Sequence, residues 1–103
     1  MPKTIVSVVF RKWPNGDIIA LFPEIPADME GLCCQSYEHV GQSGAAQYDH
    51  VISKTRPASI GEFKPLFTEL AINSYTFRPF IRRTPKMRAK YQTALTEMKK
   101  EAT

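Results

Sequence analysis

TIVSVVFRKWPNGDIIALF, residues 4–22, is the stretch that decides the fold. Its first arm, residues 4–12, is rich in β-branched side chains, and residues 17–22 form a second arm of the same character. Between them, Trp13-Pro14-Asn15-Gly16 puts proline at the first corner of a type I turn and glycine where the backbone must turn left-handed. The reading is a β-hairpin in which Trp13 pairs with Asp17. That register sends Val8, Phe10, Ile18, Ala20 and Phe22 to one face. Val9, Ile19 and Leu21 fall on the other, with Arg11 and Trp13. Both faces are apolar, so one is expected to meet helices and the other a loop or a second subunit.

Outward from the hairpin, Pro23-Glu24-Ile25-Pro26 is a stiff, extended exit, and residues 27–31 form a turn. Residues 32–40 (LCCQSYEHV) read as a third strand, and residues 41–44 (GQSG) as a break. A short helix is expected over residues 45–54, with Ala45, Tyr48, Val51 and Ile52 on one side. Ser59-Ile60-Gly61-Glu62 has capping-box form, and Phe63, Leu66, Phe67, Leu70 and Ala71 then recur at helical spacing. Pro65 predicts a kink or a late start in that helix. Residues 75–82 (YTFRPFIR) alternate like a strand, and Pro79 confines it to a sheet edge. Thr84-Pro85 is a helix start, followed by the apolar stripe Met87, Tyr91, Ala94, Leu95 and Met98.

This order predicts one α+β domain over residues 1–103. Its sheet should be small, curved and mostly antiparallel, built from the N-terminal hairpin, a third strand and a C-terminal edge strand, with helices on one face. The composition, 43% hydrophobic and 23% charged with 11% aromatic residues, is that of a folded globular chain. Cys33 and Cys34 are adjacent and would point to opposite faces of a strand, which suits a reducing compartment. The apolar run over residues 4–10 is too short to cross a membrane, and no leader follows the usual pattern, so the cytoplasm is the expected location.

Charge is distributed unevenly. From Arg78 onward eight basic residues face only Glu97 and Glu101, a local net of +6, whereas the first 77 residues carry −2. Arg78, Arg82, Arg83, Thr84, Lys86, Arg88 and Lys90 therefore form a candidate seat for an anionic partner, nucleic acid included, at the start of the last helix. The chain's own Glu24, Glu30 or Glu38 could neutralise them instead. A second reading is a protein–protein adaptor or homodimer acting through Val9, Trp13, Ile19 and Leu21, or through the edge strand around Phe80. No carboxylate pair or nucleophile–base set points to catalysis, so a non-enzymatic module is expected. Cys33, Cys34, His39, Asp49 and His50 fall in no metal-ligand spacing, and Gly41-Gln42-Ser43-Gly44 lacks the lysine of a phosphate loop, so neither metal nor cofactor is expected.

Two resemblances sit on these residues. Val8-Val9-Phe10, then Asn15-Gly16-Asp17-Ile18-Ile19-Ala20-Leu21-Phe22-Pro23-Glu24-Ile25-Pro26, resembles the opening of HicB-type antitoxins. That resemblance implies an α+β fold of partial ribonuclease-H type, toxin neutralisation and DNA binding. Across a longer span the chain resembles a family of small uncharacterised proteins of bacteria and their mobile elements. The segments that carry this are Phe10-Arg11-Lys12, Leu21 to Ala27, Cys34-Gln35-Ser36-Tyr37, His39-Val40-Gly41-Gln42 and Thr84-Pro85-Lys86-Met87. It implies a bacterial, intracellular protein and assigns no activity.

Overall fold

The structure, a computed structural model, describes residues 5–38, 42–71 and 76–102. The expectations placed on Thr4, His39, Val40, Gly41 and Tyr75 lie outside them. The elements are β1 (Ile5–Lys12), β2 (Ile18–Pro26), β3 (Cys34–Glu38), β4 (Gln42–Ala46), α1 (Tyr48–Lys54), β5 (Arg56–Pro57), α2 (Ile60–Ala71), β6 (Thr76–Phe80) and α3 (Pro85–Ala102). The protein has an α+β fold with a mostly antiparallel sheet.

The hairpin forms as its turn chemistry dictates. The Trp13 amide donates to the Asp17 carbonyl at 2.8 Å, the Gly16 amide donates to the Trp13 carbonyl at 2.9 Å, and Gly16 takes φ +97°. A side chain at Gly16 would be strained in that left-handed conformation. The strands continue in the register Lys12↔Ile18 to Val9↔Leu21. The sheet then runs β4-β3-β2-β1. The far edge of β1 is shared: β6 lies parallel to it from Ile5↔Thr76 to Val9↔Phe80, and the two-residue β5 pairs with Arg11 and Lys12. Pro79 sits within an otherwise continuous β6 ladder. Its nitrogen has no hydrogen to donate, so it belongs on the outer side, as the edge-strand reading requires.

The helices do not share one face. Leu66 and Leu70 of α2 pack against Val6, Val8, Phe10, Ala20 and Phe22, with Phe10 stacked on Phe63 at 4.3 Å between ring centroids. On the opposite face, Tyr48 and Val51 of α1 and Tyr91 of α3 cover Val9, Ile19, Leu21, Cys34 and Ala46. The physical reason lies in β1 and β2. Both alternate apolar residues onto both faces, and burying each such side chain stabilises the fold by roughly 1.5–3 kcal/mol. Either face left open would forfeit that contribution, so each acquires helices.

Two further expectations are corrected. The glycine-flanked segment expected to break the chain is instead β4, paired with β3 from Cys34↔Ala46 to Glu38↔Gln42, and α1 starts only at Tyr48. Pro65 does not delay α2, which already starts at Ile60 and runs to Ala71 with the proline inside it. The helical bond that proline forfeits would have ended on Gly61, in the exposed first turn, where water can take over that carbonyl.

Candidate anion-binding site

Three elements converge at the entrance of α3. Thr84 caps the helix as its sequence predicts, its Oγ1 accepting the Met87 amide at 3.3 Å. Met87, at 2% exposure, and Leu95, at 5%, then pin the helix to the sheet. The second element is the turn between β2 and β3. Asp28 Oδ1 accepts the Leu32 and Cys33 amides at 3.0 and 2.9 Å, and the Tyr91 hydroxyl donates to the Cys33 carbonyl at 2.7 Å. Gly31 adopts φ +77° there, and a Cβ on it would come within 2.8 Å of Leu95 Cδ2, so the turn lies close on α3 because glycine stands at that point. The third element is the first residue of α1, Tyr48, whose hydroxyl accepts the Arg83 amide at 2.9 Å.

These elements enclose a cavity of about 170 Å³ lined by Pro23, Cys33, Cys34, Tyr48, Arg83, Arg88, Tyr91 and Gln92 together with Gly31 and Leu32. Arg83 is its best-fixed cation. Its guanidinium lies 4.3 Å from the centroid of the Tyr48 ring, and Nη2 reaches Asp49 Oδ1 at 3.2 Å. Asp49 is 84% exposed, and an ion pair to so hydrated a carboxylate contributes only about 0–1 kcal/mol. That pair therefore leaves Arg83 far from neutralised. Among the described residues, Arg83 Nε is the buried side-chain polar atom left without a hydrogen-bond partner. An orphaned donor of this kind costs about 1–3 kcal/mol until something accepts from it.

The expected seat of seven residues is not one surface. Arg83 and Arg88 share the cavity, with Thr84 holding the helix beside them. Lys90 is tied to Glu24 at 3.4 Å, the internal neutralisation that the sequence left open, while Glu24 also accepts the Ser7 amide at 3.0 Å. Arg78 lies on β6 with its guanidinium 5.7 Å from the Phe80 ring. Arg82 and Lys86 are exposed and form no ion pair among the described residues. Helical spacing explains the division: Lys86 and Lys90 flank the buried stripe on one side, Arg88 and Gln92 on the other.

The proposed interaction face is also corrected. Val9 and Leu21 are fully buried, Ile19 nearly so, and Trp13 packs against the same cluster. Val9, Ile19 and Leu21 are thus core beneath α1 and α3 rather than an outer surface, while Trp13 stays half-buried at the margin of that cluster. Phe80 packs inward as well. What the sequence reading missed is the wall of the cavity, namely Gly31, Cys33, Tyr48, Tyr91 and Gln92. Tyr48 and Tyr91 were visible only as members of apolar stripes.

Burial pushes the Cys34 thiol up to about 11 and raises Tyr48 and Tyr91 above the ordinary tyrosine value. At neutral pH the cavity wall therefore offers neutral hydroxyls and a neutral Cys34 thiol beside the permanently charged guanidiniums. Such a wall can receive an anion by hydrogen bonding and charge. No group of three His, Cys, Asp or Glu side chains among the described residues is placed to hold a metal ion. Compared with models of known protein families, with curated proteins and with solved structures, the chain matches none.

Proposed function

We propose that this protein is a non-enzymatic binding module that receives a single anionic group of a partner between Arg83 and Arg88. The observation that carries the reading is that Arg83, whose buried Nε has no hydrogen-bond partner, lines one cavity together with Arg88. A guanidinium presents a fork that fits a carboxylate or phosphate through two parallel bonds, so the vacant Nε is where an incoming oxygen gains most. Cavity size sets the scale of the ligand. Sites for whole small molecules run to about 300–1,000 Å³. At about 170 Å³ this one suits the charged end of something larger. Arg82 and Lys86, exposed nearby in the chain, supply longer-range attraction. Two free thiols fit a reducing compartment such as the cytoplasm. The HicB-like hairpin supplies the turn and its exit, and the reading does not rest on it.

The test uses sulfate, phosphate and acetate added to the intact chain at constant ionic strength. A rise in Tm that grows with the logarithm of anion concentration is expected, corresponding to about 2.7 kcal/mol of stabilisation at a hundredfold excess over Kd. Arg83→Lys keeps the charge and loses the fork, and Arg88→Gln leaves the Tyr48 stack in place. Both should weaken the response. A response equal to that of added chloride, or one unchanged in both variants, would sink the reading.

A second reading, self-association, is favoured by one observation. β4 is the end strand of the sheet, and its sequence QSGAA has neither the proline nor the charge that blunt exposed edges. Antiparallel pairing of two β4 strands would extend one sheet through two molecules.

A further inference from the structure

At the other end of α1 lies a cleft that shares no residue with the Arg83 cavity. Lys12, Trp13, Pro14, Lys54, Thr55 and Arg56 line it, and its volume is about 330 Å³, within the range of small-molecule sites. We propose that it binds a nucleotide unit, with the base stacked on Trp13 and the phosphate held by Lys54 with help from Lys12 and Arg56.

Charge supports this first. The lining contains three cations and no carboxylate. Glu62 approaches from α2 and pairs with both Lys12 and Arg56, which leaves the three cations and one anion with a net of +2. Lys54 makes no ion pair among the described residues. Nor is it needed to cap the end of α1, because Arg11 already donates to the Ile52 carbonyl at 3.1 Å and the Thr55 carbonyl at 2.6 Å. A cationic ligand would be repelled, and a neutral apolar one would leave the Lys54 ammonium unanswered.

Shape and rigidity supply the rest. Trp13 is half-buried: it packs against the Val9–Ile19–Val51 cluster while also lining the cleft. Two turn hydrogen bonds hold its backbone, and Thr55, which also lines the cleft, is fixed by Arg11 Nε donating to its Oγ1 at 2.9 Å. An aromatic ring beside a cluster of net positive charge is the arrangement that takes a planar base and its phosphate together. A ring that is already ordered loses little freedom on binding.

Trp13 is the chain's single tryptophan, so its emission reports on the cleft directly. The experiment titrates the intact protein with adenosine monophosphate and with a single-stranded octanucleotide, using adenosine and inorganic phosphate as partial ligands. Saturable quenching by the monophosphate, the octanucleotide or both is expected, with adenosine and phosphate each much weaker. Quenching by the octanucleotide alone, falling steeply with salt, would identify a strand as the source, and quenching by the monophosphate alone a free nucleotide. Lys54→Glu should reduce the affinity at least tenfold. By calorimetry, Trp13→Ala should lose roughly 5- to 150-fold, matching about 1–3 kcal/mol for one stacked base. Absence of quenching by both ligands up to millimolar concentration overturns the proposal. So does a Lys54→Glu variant, folded by circular dichroism, that binds like the parent. Loss of quenching in Arg88→Gln but not in Lys54→Glu overturns it too, because the ligand then sits at the other site.

Discussion

Cys33 and Cys34 occupy adjacent positions with opposite fates. Cys34 is 2% exposed at the start of β3, and burial raises its thiol from 9.0 to about 11. Cys33 is half-buried in the cavity wall. The thiolate is the reactive form, so a shift of that size makes it roughly a hundredfold scarcer at neutral pH, before access is considered. Iodoacetamide at pH 7.5 should therefore place one adduct on the native chain, at Cys33, and add the second only in urea. Mass spectrometry of the intact protein reads the outcome. Two rapid native adducts would contradict the burial of Cys34. Alternation along a strand already separates the two residues in the sequence. Which of them is the inner one depends on the pairing Pro26↔Cys34 beyond the irregularity in β2, and that is a tertiary fact.

Among the elements, the start of α2 depends most on charge. Glu62 completes the capping box by accepting the Ser59 amide at 2.9 Å, and it bonds Arg56 Nη2 at 2.9 Å as well as Lys12. Those bonds, led by Arg56 and then Lys12, hold its carboxyl well below the usual range. The folded value lies below the unfolded one, so its ionisation favours folding above about pH 4.3, and this contribution fades as the pH falls below that point. Glu62→Gln should lower stability at neutral pH. Its urea midpoint should also change less between pH 5 and pH 2, so that the two curves converge in acid. Parallel curves would show that the network contributes nothing. Local chemistry made several elements legible: the Trp13–Gly16 turn, the Ser59 and Thr84 caps, and the edge placement signalled by Pro79. β4 was not legible. Gln42 to Ala46 has no β-branched residue, and its strand conformation comes from pairing with β3 and from burial of Ala46. The candidate site was legible only in part. Arg83 reads as one of several surface cations until Tyr48, 35 residues earlier, closes over it.

On the scale of the whole molecule, the sheet has two contrasting ends. Pro79 blunts the β6 side, whereas β4 presents its outer side unpaired among the described residues. If two copies join, light scattering should show a dimer that dissociates on dilution. Ala45→Lys should then shift the protein to monomer without changing its circular dichroism. A monomer at millimolar concentration would dispose of that reading. The layering was the part least available from the sequence. Two apolar faces on β1 and β2 are plain in the pattern, yet nothing local says that α2 takes one face while α1 and α3 take the other.

The parallel pairing of β1 with β6 has a consequence for synthesis. The second half of the chain supplies the strand that covers Ile5 to Val9, although the hairpin bearing those residues leaves the ribosome first. Translation runs at about 5–20 residues per second, so the roughly 70 residues between the two strands take several seconds to arrive. For that interval the nascent hairpin waits with one flank bare, and a chaperone that shields extended backbone would have its opportunity there.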